Sequence, residues 1–394
     1  MKKLKKLVFL LINLILFWFS QLIPKNKNLW VFGAWFGQKY SDNPKAFFEY
    51  INQQQTHIHA IWISKDSRVV EHVRSLGFNA YEEKSILGIW YQLRAGYVFV
   101  CQSLHDDVYA PCIGKNTKVV NLWHGLPLKK IMYDTFDTKS IQKNIIGKLF
   151  DVLSPYEKHR NDYLLATSAE TQMTLSKAFR IPKSRTIITG FPRNDVFLKP
   201  LIKSKSATYK CIYMPTFRGG IGAECDLFAQ YGFDVPLIDA KLKANNVELV
   251  LRMHPVNKPP VYLIEKIKKS NNITLDSSAD IFDSIADYDC MITDYSGGYF
   301  DFLLSGRPIL FAPFDLEKYK QEERDLYYHY EKVTLKPYAY TWMELVENII
   351  TVSQNQFPEE YQESYKALQR LFHEPIGGNA KSFSGNLYEK LMRL

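Results

Sequence analysis

Short runs rich in β-branched and aromatic residues recur along this chain, separated by intervals long enough to hold a helix. Leu29–Gly33, His59–Ser64, Tyr97–Cys101, Lys118–Leu122 and Arg185–Gly190 form one series; Lys210–Met214, Val247–Leu251, Cys290–Thr293 and Pro308–Ala312 form a second. Strands alternating with helical patterns predict parallel sheets, because each parallel pairing needs a long crossover. The fold class expected is therefore α/β, with two Rossmann-like domains. Between the two series, Lys199-Pro200 and Lys203-Ser204-Lys205-Ser206 read as a polar linker. The chain then divides into a segment 1–27, an N-terminal domain 28–200 and a C-terminal domain 207–394. Gly37 to Pro44 reads as a loop before a helix from Lys45 to Asn52.

Ligands of open parallel sheets bind outside the carboxyl ends of the strands, and two histidines leave such ends. His124 follows Val119-Val120-Asn121-Leu122-Trp123, and His254 follows Val250-Leu251-Arg252-Met253. Two such histidines suggest two halves facing one cleft. With an unperturbed pKa of about 6.5, His124 suits proton abstraction as a general base, and Gly125 lets substrate approach its backbone. Arg252 points to the opposite face and reads as structural.

Thr293, Ser296, Gly297 and Gly298 lie in a turn between a buried strand and a helix, where free N–H groups and the helix dipole favour an anion. They read as a phosphate cradle, with Asp294 holding the turn. Arg218, after Met214-Pro215-Thr216-Phe217, is a candidate phosphate partner. Asp315 and Glu317 follow the strand ending at Ala312, where a carboxylate suits a ribose hydroxyl. Arg193, Asn194 and Asp195, in the turn Gly190-Phe191-Pro192, either line the cleft or pin the linker.

Five motifs occur together: Asn121-Leu122-Trp123-His124-Gly125-Leu126-Pro127-Leu128-Lys129, Gly190-Phe191-Pro192-Arg193-Asn194-Asp195, Tyr213-Met214-Pro215-Thr216-Phe217-Arg218, Leu251-Arg252-Met253-His254-Pro255 and Thr293-Asp294-Tyr295-Ser296. In this order and spacing the chain, from about Trp30 to its last helix, resembles the CDP-glycerol glycerophosphotransferase family of teichoic-acid primases, polymerases and capsule enzymes. The resemblance implies a GT-B architecture, with a cleft between the two domains and no cofactor. It also implies transfer of a polyol phosphate from CDP-glycerol or CDP-ribitol to an undecaprenyl-linked or polymeric glycan. His254 would then contact the donor diphosphate. The chain departs from the family pattern at Gly297, where a serine is usual, so Gly297→Ser is expected to be tolerated. A nucleotide-sugar glycosyltransferase on the same fold and a non-catalytic membrane scaffold are the competing classes. The E-x7-E pattern of many retaining GT-B enzymes is missing.

A net charge of +9 invites a nucleic-acid reading, but six of these charges are Lys2, Lys3, Lys5, Lys6, Lys25 and Lys27, with no acid among the first 27 residues. They flank the apolar run Leu7 to Phe19, and lysines beside such a helix seek an anionic membrane surface. A signal peptide lacks a small-residue cleavage site here, and a spanning helix would place the body outside, away from a nucleotide donor. A membrane-associating helix on the cytoplasmic side is therefore expected, making the protein peripheral, with no nucleic-acid partner. The five cysteines form no CxxC pair and indicate a reducing compartment. No metal site is expected; His57 and His59 read as a solvated strand edge.

Overall fold

The computed structural model describes residues 2–54, 57–135, 154–199, 207–218, 226–254, 257, 259–322, 325–356 and 358–394. Pro200, Lys203–Ser206, Cys225 and Pro255, used in the sequence analysis, lie outside them. Among the described residues, twelve strands pair into two parallel sheets. In chain order they are β1 (Asn26–Phe32), β2 (His59–Ser64), β3 (Ala80–Glu82), β4 (Ala95–Val100), β5 (Lys118–Asn121), β6 (Tyr163–Ala166), β7 (Thr186–Ile188), β8 (Tyr209–Met214), β9 (Val247–Leu251), β10 (Ile273–Leu275), β11 (Cys290–Thr293) and β12 (Ile309–Phe311). The helices used below are α1 (Lys2–Ser20), α2 (Asp42–Gln53), α3 (Ser67–Ser75) and α4 (Ile86–Arg94).

The first sheet has the order β3-β2-β1-β4-β5-β6-β7, and the second β10-β9-β8-β11-β12. Strand order reverses between β1 and β4 in one and between β8 and β11 in the other, the switch points where ligands of such sheets bind. This is the doubly wound α/β architecture of the GT-B class.

Three strands escaped the sequence reading. They are β3, β6 and β10, with only three or four residues each. The predicted helix Lys45–Asn52 begins earlier, at Asp42, because Pro44 is tolerated in a first turn whose N–H groups have no intrahelical acceptor. His59 opens β2, an interior strand between β1 and β3, and His57 precedes it, so the two do not share a strand edge.

The compact units differ from a linear division at the linker. Unit 1 comprises residues 1–124, 132–195 and 374–394; unit 2 comprises residues 125–131 and 196–373. The C-terminal helix Phe383–Met392 returns to unit 1, where the Asp195 carboxylate accepts the N–H groups of Phe383 (2.6 Å) and Ser384 (3.2 Å). One face of the first sheet packs Leu29, Val31, Ile61, Ile63, Val98 and Val119. Trp30, Phe32, Phe47 and Phe99 form an aromatic cluster, with ring centroids of Phe32 and Phe99 4.6 Å apart. In unit 2, Trp342 packs against Tyr213, Phe228 and Phe233 and donates its Nε1–H to the Leu227 carbonyl at 2.7 Å. Cys101, Cys112, Cys211 and Cys290 are buried thiols outside any disulfide, packed as small hydrophobes.

Helix α1 is amphipathic in an unusual sense. Asn13 and Ser20 are buried against unit 1, Phe17 packs on Tyr156, and Asn13 accepts a hydrogen bond from Tyr109. Its other face exposes Leu11, Ile12, Ile15 and Trp18. No described helix is long and apolar enough to cross a membrane.

Candidate functional site

Each unit gathers polar side chains at the carboxyl ends of its central strands. In unit 1 the centre is His124, three residues beyond β5. Its Nδ1 lies 2.9 Å from the Cys101 carbonyl oxygen, just past β4. A carbonyl only accepts, so Nδ1 carries the proton and Nε2 is left as the proton-accepting nitrogen of the neutral ring. The imidazole sits against Trp123 and Trp35, with centroids 3.9 and 5.6 Å away. Burial pushes its pKa below the usual histidine value and Arg193 adds to this, while the Cys101 hydrogen bond and the Asp42 carboxylate oppose. The ring is neutral at neutral pH, the state a general base requires.

The backbone around this histidine is strained. Trp35 (φ 48°), Phe36 (φ 62°), Asp42 (φ 68°) and Trp123 (φ 55°) are all left-handed, and Gly125 takes φ 145° as the chain leaves unit 1. A non-glycine residue held there costs about 1–3 kcal/mol, and such strain concentrates at functional sites. Cys101 is held from behind by Asp107, whose carboxylate accepts the N–H groups of Phe36 (2.9 Å), Cys101 (2.8 Å) and Gln102 (2.7 Å).

Arg193, Asn194 and Asp195 part company. Arg193 belongs to the His124 environment: its Nη1 donates to the Asp42 carboxylate (2.8 Å) and to the His124 carbonyl (2.9 Å). Asn194 is fully buried. Asp195 is engaged by the N-terminus of the C-terminal helix, which it latches to unit 1.

In unit 2 a pocket of about 220 Å³ opens at the β8/β11 switch point. It is lined by Leu126–Lys129 and Ile131, by Thr216 and Phe217 after β8, by His254 after β9, and by Tyr295–Gly297 after β11. The Phe217 ring lies 5.1 Å from that of His254. The Lys129 ammonium lies 5.0 Å from the Phe217 ring centroid and 4.9 Å from that of Tyr319. The Thr216 hydroxyl is buried without a hydrogen-bond partner among the described residues. A pocket carrying a lysine, a histidine and two hydroxyls suits a phosphorylated ligand.

Several expected contacts resolve differently. Arg218 spends its guanidinium inward: Nε and Nη2 bind Asp315 at 2.8 and 2.9 Å, Nη2 binds Asp294 at 2.8 Å, and Nη1 donates to the Thr216 carbonyl at 2.6 Å. Burial opposes its charge, but Asp294 and Asp315 outweigh burial and hold its pKa above the ordinary arginine value. Arg218, Asp294 and Asp315 thus form a largely buried ion cluster beside the pocket-lining Thr216 and Tyr295. Tyr295 completes it, donating to Asp315 at 3.0 Å. Thr293 is fully buried, its hydroxyl donating to the Met214 carbonyl at 2.7 Å, and so ties β11 to β8. Glu317 lies on the exposed side of the helix Leu316–Glu322, away from the pocket lining. Arg252 pairs with Asp276 and Ser278.

The turn after β11 is also built differently from a dipole cradle. The helix it opens, Gly298–Phe302, has five residues, too short for a developed macrodipole. Ser296 lines the pocket and its Oγ accepts the Gly298 N–H at 3.2 Å. Gly297 has ordinary helical angles (φ −72°, ψ −3°), so its glycine is not demanded by φ. A Cβ there would lie 2.1 Å from the Leu126 carbonyl oxygen. The glycine makes room for the 125–131 segment.

Lys129, Thr216 and Phe217 lie within the sequence motifs without standing out as site residues; the place of Lys129 five residues after His124 is the signal the sequence offers for it. Asp42, Asn43 and Trp35 carry no motif and emerge only from the fold. Among the described residues no group of three or more His, Cys, Asp or Glu side chains is placed to hold a metal ion.

Comparison with known proteins places these two centres in context. A family profile described as CDP-Glycerol:Poly(glycerophosphate) glycerophosphotransferase matches residues 15–383. A teichoic acid poly(glycerol phosphate) polymerase of Bacillus spizizenii is 30% identical over 360 residues, 85% of this chain and 86% of the relative. A teichoic acid glycerol-phosphate transferase of Staphylococcus aureus is 28% identical over 78% of this chain and 79% of its own. Among solved structures, the wall teichoic acid polymerase TagF superposes with a TM-score of 0.72 at 22% identity, covering 100% of this chain and 98% of the other.

Proposed function

Because this chain belongs to the CDP-glycerol:poly(glycerophosphate) glycerophosphotransferase family, we propose that it transfers glycerol phosphate, or a close polyol phosphate, from CDP-glycerol to a hydroxyl of a lipid-linked or polymeric cell-envelope glycan. The acceptor oxygen attacks the phosphorus that bears glycerol. An O–P bond forms, the diphosphate P–O bond breaks, and CMP leaves with the electron pair. The acceptor proton passes to His124 Nε2.

The unit 2 pocket carries this reading. Phosphoryl transfer asks a protein chiefly for positioning and charge neutralisation, and Lys129, His254, Ser296 and Thr216 converge at a switch point to supply both. Lys129 and His254 neutralise the diphosphate, while Ser296 and Thr216 donate to its oxygens. Arg218, Asp294 and Asp315 hold the pocket's framework without touching the donor.

The exposed face of α1 supports peripheral attachment to the cytoplasmic face of the membrane. Its start carries Lys2, Lys3, Lys5 and Lys6, and α4 adds exposed Ile86, Leu87 and Trp90 on the same unit. Each such side chain, partly covered already, gains on the order of 1 kcal/mol when moved into the acyl boundary.

Incubating the purified protein with CDP-glycerol, CDP-ribitol and UDP-sugars in parallel, with a soluble acceptor analogue, tests the proposal. Nucleotide release confined to the CDP-polyols supports it; release from a UDP-sugar alone would replace it with glycosyl transfer.

A further inference from the structure

Three consecutive carbonyl groups beyond β5 are gripped by two side chains from elsewhere in unit 1. Asn43 Nδ2 donates to the carbonyls of Leu122 (3.2 Å) and Trp123 (2.9 Å), and Arg193 Nη1 donates to that of His124 (2.9 Å). The same Arg193 nitrogen binds Asp42 Oδ1 at 2.8 Å, and the Arg193 backbone N–H reaches Asn43 Oδ1 at 3.1 Å. Asp42 also accepts the Trp35 indole N–H at 3.1 Å. All three polar residues are buried, at 5% exposure for Asp42, 0% for Asn43 and 6% for Arg193.

A strand end needs no such apparatus. The β5 pairing stops at Asn121, and the next residues would be free to take relaxed angles; instead Trp123 is left-handed, as is Asp42 across the network. Strain persists only where surrounding structure over-determines it, and here the network of named bonds does so. A buried ion pair adds little net stability; what the Asp42–Arg193 pair supplies here is geometry, since Arg193 Nη1 is shared between Asp42 and the His124 carbonyl.

We infer that Asp42, Asn43 and Arg193 are positioning residues for His124, locking the backbone turn that aims its imidazole, with Asp42 as the hub that holds Arg193 and Trp35 in place. This rests on His124 being the base. Besides Asp42 and Arg193, the groups facing the imidazole among the described residues are the Cys101 carbonyl, with Asp107 behind it, and the Trp35 and Trp123 rings. Asp42 is the carboxylate that favours the imidazolium form.

The test is steady-state kinetics over pH, with CDP-glycerol titrations, on full-length Asp42→Asn, Arg193→Lys and His124→Ala. A misaimed base costs about 10²-fold, so Asp42→Asn and Arg193→Lys should each lower kcat about 10–100-fold with donor Kd unchanged within about twofold. In Asp42→Asn the acidic limb of the kcat profile should also move to lower pH, because the carboxylate that favoured imidazolium is gone. A purely structural role would leave that limb in place. If His124→Ala is inactive while Asp42→Asn and Arg193→Lys keep wild-type kcat and limb, the positioning role is overturned. If His124→Ala stays active, the base reading itself fails. Should Asp42→Asn not fold, Asn43→Ser removes two of the carbonyl bonds without touching a charge, and wild-type kcat in that variant would equally overturn the inference.

Discussion

A β-carbon on Gly297 would stand 2.1 Å from the Leu126 carbonyl oxygen, so the turn after β11 and the segment after His124 approach as closely as only a glycine permits. Both sides of this contact are backbone, so no side chain can rotate to relieve it. Gly297→Ala and Gly297→Ser should therefore push the 126–129 stretch outward, costing about 1–3 kcal/mol of stability and displacing Lys129 from the pocket. Calorimetric titration with CDP-glycerol should register about a tenfold loss of affinity. This reverses the expectation from family pattern alone that serine would be tolerated, and wild-type affinity in Gly297→Ser would restore it.

Lys129 and His254 approach the same space from different elements, one after β5 and one after β9. Removing a charged donor from a buried phosphate contact costs about 1.5–3 kcal/mol. Lys129→Ala and His254→Ala should each raise the KM for CDP-glycerol roughly 10–100-fold, with Lys129→Arg intermediate because the charge survives on a different fork. His124→Ala should instead lower kcat about 10²–10⁴-fold and leave donor binding intact. Equal loss of donor affinity in all three would contradict the division of roles.

The switch points, the histidines and the two parallel sheets were legible in the sequence because periodicity and strand-end placement report local physics. What each polar side chain touches was not. Arg218 follows a strand end as a phosphate-binding arginine would, yet Asp294 and Asp315, 76 and 97 residues further along, occupy its guanidinium. Asp195 likewise binds a helix that begins 188 residues later. Asp42 and Asn43 looked like loop residues before a helix; only the return of Arg193 across unit 1 gives them a partner. Such pairings depend on long-range topology, and a single sequence carries no signal for them.

Burial pushes the Asp107 carboxyl up to about 7, even though it accepts three backbone N–H groups that pull the other way. In the unfolded chain an aspartate titrates at about 3.9. Between these values the folded state holds a proton that the unfolded state has released, so this group's contribution to stability falls as pH rises from about 4 to 7 and is level above. Asp107→Ala lacks that linkage and leaves three N–H groups without their acceptor. Urea denaturation should find the variant less stable, by a margin that narrows from pH 4 to pH 7 and then stays constant. A margin that widens over that range would contradict the sign.

Deleting α1 outright would strip Phe17 and Ser20 from the unit 1 surface they cover, so the membrane contact is better tested on its outer face. Replacing Leu11, Ile15 and Trp18 by serine should abolish flotation with anionic phosphatidylglycerol vesicles. Activity on a water-soluble acceptor should remain. Unchanged flotation would place the membrane contact elsewhere, on the folded units.

The central claim is the chemistry itself, and phosphorus-31 NMR of the reaction with CDP-glycerol and a soluble acceptor reads it most directly. The account predicts a new phosphodiester resonance on the acceptor appearing in step with CMP for the wild type, with both suppressed in His124→Ala. Disappearance of CDP-glycerol without an acceptor phosphodiester, or an undiminished phosphodiester signal in His124→Ala, would contradict it.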